Sequence, residues 1–202
     1  MTPRCAVLLR TARLPDAPAM AGLSRALIEA GLVWHYTAPR MAALIRDPDT
    51  VALVACGASQ TRPRTPPQTP PPTPPQPGLQ TGPPTGLHTG PQTGLHIGPP
   101  TEPPVLGFAV MRFGDTQAHL ALLCVQPQQR QQGIGRRLID WLTASARVAG
   151  ISMIGLELRA DNAAALGFYR RLGFVETALV PGYYDSRIAA RRMTLRLAAT
   201  PR

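Results

Sequence analysis

Leu123 to Leu138 reads LCVQPQQRQQGIGRRL. An apolar, strand-like run ends at Val125, a polar turn follows, and Gly133-Ile134-Gly135 opens a helix that carries Arg136 and Arg137. Glycines in such a turn let the main chain approach a ligand closely. The first helical amides have no acceptor within the helix, and the helix dipole adds partial positive charge there. That geometry suits an anion, most naturally a phosphate. Gly-x-Gly alone is also compatible with an ordinary helix-entry turn. A dinucleotide-binding turn requires a third Gly or Ala where Leu138 stands, and it normally opens its fold rather than lying two-thirds along the chain. Glu157 does follow at about the spacing of the ribose-binding acid of such folds. A nucleotide-triphosphate loop needs Gly-Lys-Ser/Thr, and the chain has no lysine.

Outward from this turn the chain alternates between strand and helix periods. Upstream, Cys5–Thr11 alternates as a strand, and Asp16 is placed to cap a helix with Met20, Leu23, Leu27 and Ile28 on one face. Thr37 followed by Pro39 starts a second helix that ends before Asp47-Pro48. Val51–Cys56 is a strand, and Val105–Phe113 pairs as a hairpin with Ala118–Val125 across Gly114-Asp115. Downstream, a helix over Ile134–Val148 puts Ile134, Leu138, Trp141 or Leu142, and Ser145 at core spacing, and Gly150 ends it. Met153–Arg159 is a strand, Asp161 and Asn162 open a helix closed by Gly173, and Phe174–Val180 and Ile188–Leu197 are two last strands. The order predicts an α/β fold with a mixed central sheet flanked by helices.

Between the second and third strands lies a segment of different character. Residues 59–104 hold 16 of the 24 prolines and pass into an octapeptide period, TGPPTGLH from Thr81 and TGPQTGLH from Thr89. Proline lacks an amide donor and fixes φ, which excludes helix and central strand. The reading is a disordered or polyproline-II insert, tolerated because loop closure costs only logarithmically more with length. His88 and His96 belong to the repeat. The expected organisation is residues 1–58 and 105–202 as two parts of one domain, with the insert between them.

The net charge is +10, and all 21 basic residues are arginine. A basic balance favours anionic partners without choosing among them. No recognition-helix or RNA-binding signature is present, so nucleic acid is not the expected main ligand. Cys5, Cys56 and Cys124 are widely spaced in apolar runs and read as free thiols of a reducing compartment. No spacing suggests a metal site. The apolar run Cys5–Leu9 is too short for a secretory signal, and no run approaches a membrane span, so a cytoplasmic protein is expected.

The stretch LCVQPQQRQQGIGRRL resembles the acetyl-coenzyme A-binding motif of the GNAT superfamily, Arg/Gln-x-x-Gly-x-Gly/Ala. Leu156 to Phe174, LELRADNAAALGFYRRLGF, resembles the strand and helix that follow in that superfamily, most nearly in the ribosomal-protein N-alanine acetyltransferases. The resemblance covers about Val105 to Leu197; over the first 56 residues it is one of topology only. It implies that Leu123, Cys124 and Val125 line the pantetheine arm of acetyl-CoA. The amide of Val125 would polarise the thioester oxygen. Arg130, Gln131, Gln132, Gly133, Ile134, Gly135 and Arg136 would hold the pyrophosphate, and Asn162 would reach the cofactor while capping its helix. Tyr169 matches the general acid that protonates the departing thiolate, and Glu157 the general base that deprotonates the amine. The implied reaction is direct transfer of acetyl to a primary amine, without a covalent intermediate or metal.

For the acceptor the sequence departs from that subgroup. Val33-Trp34-His35-Tyr36 stands where an aromatic-proline segment is expected. The tyrosine pair Tyr183-Tyr184 in the last loop is retained, but Ile188-Ala189-Ala190-Arg191-Arg192 replaces the acidic residues that usually follow. Trp34, Tyr36 and Tyr183 are candidate acceptor contacts. The acceptor is a small-molecule amine or a protein N-terminus. Two other readings stand beside the enzyme: a GNAT-fold module that binds coenzyme A without catalysis, and an acetyltransferase acting on aminoacyl-tRNA. A homodimer is left open.

Overall fold

The computed structural model describes residues 6–57 and 103–198. Cys5 and nearly all of the proline-rich insert lie outside them. The described chain runs β1 (Val7–Thr11), α1 (Ala17–Leu27), α2 (Ala38–Arg46), β2 (Thr50–Gly57), β3 (Val105–Phe113), β4 (Gln117–Val125), α3 (Ile134–Val148), β5 (Met153–Arg159), α4 (Ala163–Arg171), β6 (Val175–Tyr184) and β7 (Ile188–Arg196). The seven strands form one sheet in the order β1-β2-β3-β4-β5-β7-β6. Only β4 and β5 pair in parallel. The expected mixed sheet is therefore present.

Strand alternation sends side chains to two apolar layers. Under α3 and α4 lie Ala109, Met111, Leu120, Leu138, Leu142, Ile154, Leu156 and Met193. Under α1 and α2 lie Met20, Met41, Val54, Phe108, Val110, Leu122 and Cys124. The sheet is thus covered on both faces, and the two layers leave its central strands little freedom to slip.

Four local expectations need correction. Asp16 precedes α1 as foreseen but makes no side-chain cap. Its carboxylate instead accepts both Arg10 Nη atoms (2.7 and 2.8 Å) and the Arg13 amide (2.6 Å), closing a short 3-10 turn. The buried face of α1 is Ala17, Met20, Ala21 and Ser24, with Leu23, Leu27 and Ile28 only partly covered. Trp141 and Ser145 leave the buried set of α3, whose core positions are Ile134, Leu138, Ile139, Leu142, Thr143 and Ala146; the indole is 41% exposed. Finally β6 does not stop at Val180. It continues through Pro181-Gly182 with a break in register to Tyr184, which pairs with Ile188. The reversal falls at Asp185 and Ser186, both at positive φ. Tyr183 and Tyr184 therefore belong to a strand, not a loop. Pairing also reaches into the last residue assigned to the insert, because Gly57 N–H donates to the Pro104 carbonyl (3.2 Å).

Asp16 is almost fully buried, with a side chain 3% exposed. Burial raises its pKa, but the Arg10 and Arg13 hydrogen bonds outweigh that and hold the carboxyl below the usual carboxylate range. Removing one partner of a buried pair strands the other charge. Asp16→Ala is expected to destabilise the fold by about 3 kcal/mol at pH 7. A carboxyl with a lowered folded pKa contributes fully above its unfolded value, near 4, and loses that contribution as pH falls through the folded value. Urea midpoints of wild type and Asp16→Ala should therefore converge in strong acid. A constant difference down to pH 2 would contradict this.

Candidate active site

The site begins where two parallel strands part. β4 and β5 pair only over Gln117–His119 and Met153–Gly155. Beyond that point β4 runs on to Val125 and β5 to Arg159 with no mutual register. On its other side β4 stays paired with β3, with a bulge that leaves Ala121 as the extra residue between Leu120 and Leu122. Bulges bend a strand and disturb its ladder, and here the bend coincides with the fork. Gln126 N–H bonds the Leu106 carbonyl (2.9 Å). Main-chain groups alternate in direction along a strand, so the amides of Leu123 and Val125 face away from β3, into the gap. Cys124 is registered to Phe108 and faces the other way. Its thiol is buried against the Leu23 carbonyl (3.8 Å), and burial pushes its pKa up to about 12. It is a packing residue without thiolate character.

The glycine-rich turn closes one end of the gap. Gln131 (φ 62°) and Gly133 (φ 79°) adopt left-handed backbone, and Gly133 is the N-cap of α3. Arg137 N–H bonds Gly133 O (3.0 Å). The three amides before it, from Ile134 to Arg136, therefore start the helix without intrahelical acceptors. Arg130 Nε bonds Val125 O (3.2 Å), tying the turn to the end of β4. Gly135 serves packing as well. A Cβ there would lie 3.3 Å from the Phe168 ring and 3.7 Å from Val125 Cγ2. Arg136 points along the helix toward Asp140 (3.6 Å). Asn162 caps α4, its Oδ1 accepting from Ala165 N (3.0 Å).

Glu157 lies on the sheet face opposite Leu156 and Leu158, as its parity requires. Its Oε2 is 2.7 Å from His119 Nε2, and its Oε1 accepts from Arg192 Nε at 2.8 Å. Burial raises its pKa, but these two hydrogen bonds and charges win and hold it below the ordinary carboxylate value. Tyr169 is 8% exposed, edge-on to Phe168 and Phe174 at centroid separations of 5.2 and 5.4 Å. Burial, with a smaller effect of Tyr184, pushes its phenol well above the usual value, so it stays protonated at all physiological pH.

The face beyond Glu157 is built by the α1–α2 connection and the β6–β7 hairpin. Burial and then Glu157 raise the Tyr183 phenol, with further effects of Arg192 and Tyr36 and a hydrogen bond to Glu157. Tyr183 thus meets the carboxylate from the hairpin, and Tyr36 lies within electrostatic reach of Tyr183. Trp34 donates its indole N–H to Tyr36 O (3.1 Å), while its ring lies by Arg25, 5.8 Å from centroid to guanidinium. It shapes the loop more than it faces Glu157. Asp185 accepts from Val33 N (3.0 Å) and Arg159 donates to Ala30 O (3.2 Å), joining loop, hairpin and β5.

Three residues here escape sequence reasoning. Glu29, 4% exposed, accepts from Ser24 Oγ (3.0 Å), His35 N (2.6 Å) and Tyr36 N (3.2 Å), and so fixes the loop. An acid directly after the apolar Leu27-Ile28 was its only signal. His119 and Arg192 are the partners of Glu157; each is a polar residue at an outward position of a strand, a pattern shared with solvated residues. A shallow groove lined by Ile139, Asp140, Thr143, Arg147, Leu172 and Leu195 is remote from this cluster and contains the buried, unpartnered Thr143 hydroxyl.

The sequence profile of the acetyltransferase (GNAT) domain matches residues 102–176, which span the fork, the turn and α4. The match covers less than half of the chain and makes this stretch similar to that domain. Its sequence is similar to the [ribosomal protein bS18]-alanine N-acetyltransferase of Escherichia coli K12, 36% identical over 79 residues, or 39% of this chain and 53% of that protein. It is also similar to the N-alpha-acetyltransferase RimI of Mycobacterium tuberculosis, 38% identical over 84 residues, or 40% of this chain and 51% of that protein. The chain spans about half the length of these curated relatives. The crystal structure of the Escherichia coli ribosomal-protein-S18-alanine N-acetyltransferase superposes on the whole GNAT fold with a TM-score of 0.62 at 20% identity, covering 97% of each chain. That likeness carries the fold to β1, α1 and α2, where sequence resemblance gives out.

Proposed function

We propose that the chain is an acetyl-CoA-dependent N-acetyltransferase acting on a primary amine. The observation that carries this reading is the parting of β4 from β5 beside the left-handed turn at Gln131–Gly133. An extended thiol arm needs a strand edge with free amides, and a diphosphate needs a helix start with free amides. Both are present and contiguous. Bound acetyl-CoA supplies an activated acyl thioester. The amides from Gln131 to Arg136 bind its diphosphate, and Leu123 and Val125 offer main-chain partners to its arm. Arg130 braces the turn against Val125 O.

The acceptor side supplies the proton chemistry. An alkyl ammonium with a pKa near 10 must lose a proton before it attacks, a penalty of roughly 4 kcal/mol at pH 7. Glu157 is ionised throughout the neutral range and takes that proton directly or through water. Val125 N–H stabilises developing negative charge on the carbonyl oxygen. Tyr169, kept protonated by burial, donates to the leaving sulfur. The presence of both acid and base favours an enzyme over a module that only binds coenzyme A.

The reading predicts release of one free thiol per acetylated amine when acetyl-CoA is mixed with the protein and a panel of amines and peptides. Thiol assay with mass analysis of the acceptors measures it. Acetyl-CoA that is bound and never turned over, with every class of acceptor, would leave only the binding module.

A further inference from the structure

We infer that the acceptor carries a carboxylate close to its reacting amine, and that Arg112, His119 and Arg192 recognise it. The inference rests on the acetyltransferase reading and names the acceptor class of that site. Its basis is a stripe of side chains across four strands on one face of the sheet. Arg112 on β3 is the direct cross-strand partner of His119 on β4. His119 reaches Glu157 on β5 at 2.7 Å. Glu157 is the direct partner of Arg192 on β7. Paired residues point to the same face, here the face on which α1 and α2 lie. Between His119 and β7 the stripe meets Gly155, beside which a side chain would find open space.

The stripe is cationic on balance. Its single carboxylate already has two partners, Nε of Arg192 and Nε2 of His119. The neighbouring acids are also engaged. Glu29 accepts loop amides, Asp185 accepts Val33 N–H, and Asp161 pairs with Arg159. Among the described residues, neither Arg112 nor Arg40, whose guanidinium lies 5.7 Å from the Tyr36 ring centroid, makes an ion pair. A cationic acceptor segment meets like charge here, and like-charge juxtaposition rejects a partner strongly. A carboxylate one or two residues from the amine finds guanidinium forks suited to bidentate contact. The amine itself faces Glu157. An acidic peptide N-terminus and a free acidic amino acid present the same chemistry.

Steady-state acetylation of matched peptides with Asp, Ala or Lys at the second position, and of free aspartate and glutamate, tests the inference. The Asp peptide should exceed its Lys counterpart in kcat/KM by about 30-fold or more at low salt. That ratio should shrink as ionic strength rises. Faster turnover of the free amino acids than of the peptide would assign the small-molecule source; the reverse would assign the protein terminus. Arg112→Glu should invert the Asp-to-Lys ratio, and the milder Arg112→Gln should bring it near one. Titration of the coenzyme A-loaded protein with the N-acetylated Asp and Lys product peptides reads the same preference without turnover. Equal or better use of the Lys peptide, an unchanged ratio in both Arg112 variants, or no preference between the product peptides would overturn the inference. So would inhibition by an oligoribonucleotide without any peptide preference, which would assign the arginines to RNA. Acetyl transfer to Lys or Ala peptides alone would sink this acceptor class and leave the acetyltransferase reading standing. Failure to bind acetyl-CoA would remove both.

Discussion

Tyr169→Phe is expected to lower kcat by about 100-fold while leaving the affinity for acetyl-CoA within about twofold of wild type. The substitution removes one hydroxyl and keeps the ring. The ring is what packs: it sits between Phe168 and Phe174 in the layer under α3 and α4. Packing should therefore survive, and the melting temperature should hardly move. A general acid for a thiolate must be protonated before it acts, and burial ensures that for this phenol. Single-turnover thiol release with a competent acceptor, beside calorimetric titration of acetyl-CoA, separates the two quantities. Equal turnover in the variant would make Tyr169 a core aromatic and nothing more.

Glu157→Gln should lower kcat/KM by about 100-fold at pH 7 and by progressively less toward pH 10. Glutamine keeps the size of the side chain and offers polar atoms to His119 and Arg192, but it does not accept a proton. Above pH 9 a growing fraction of the amine is already neutral, so the missing base matters less. The wild-type carboxyl is held below its ordinary pKa by its two partners, so its protonation does not limit turnover between pH 5 and 8. A merely structural ion pair makes the opposite prediction, lower stability with a parallel pH profile. The pH dependence of kcat/KM for both proteins distinguishes the two.

The elements that sequence reasoning placed well are those whose pattern is set by one neighbour at a time. β3, α3 and β5 have the boundaries their periodicity implies, because each buries one face against a continuous layer. The turn at Gly133 was legible because glycine at positive φ leaves a local signature. Errors arose where a residue had two plausible partners. Asp16 stands where a helix cap would stand, yet the Arg10 fork offers a charged partner, and charge-assisted bonds outcompete a single neutral amide. Pro181-Gly182 has turn composition, but an edge strand tolerates proline because one row of its amides needs no partner. The proposed cofactor half draws its residues from short stretches of sequence, so they could be put forward one by one. Those of the acceptor half could not. His119, Glu157 and Arg192 come from three strands, and only the sheet order brings them together. The octapeptide-bearing segment before β3 lies outside the described residues and enters none of these arguments.

Calorimetric titration of the full chain with acetyl-CoA and, separately, with S-acetylpantetheine tests most directly whether the amides from Gln131 to Arg136 bind a diphosphate. Both ligands carry the thioester arm, and only the first carries the diphosphate. One site for acetyl-CoA, with S-acetylpantetheine weaker by about 100-fold or more, is the expected result, because several charge-assisted bonds are lost together. No heat and no thermal shift with acetyl-CoA, or equal binding of the two ligands, would contradict it.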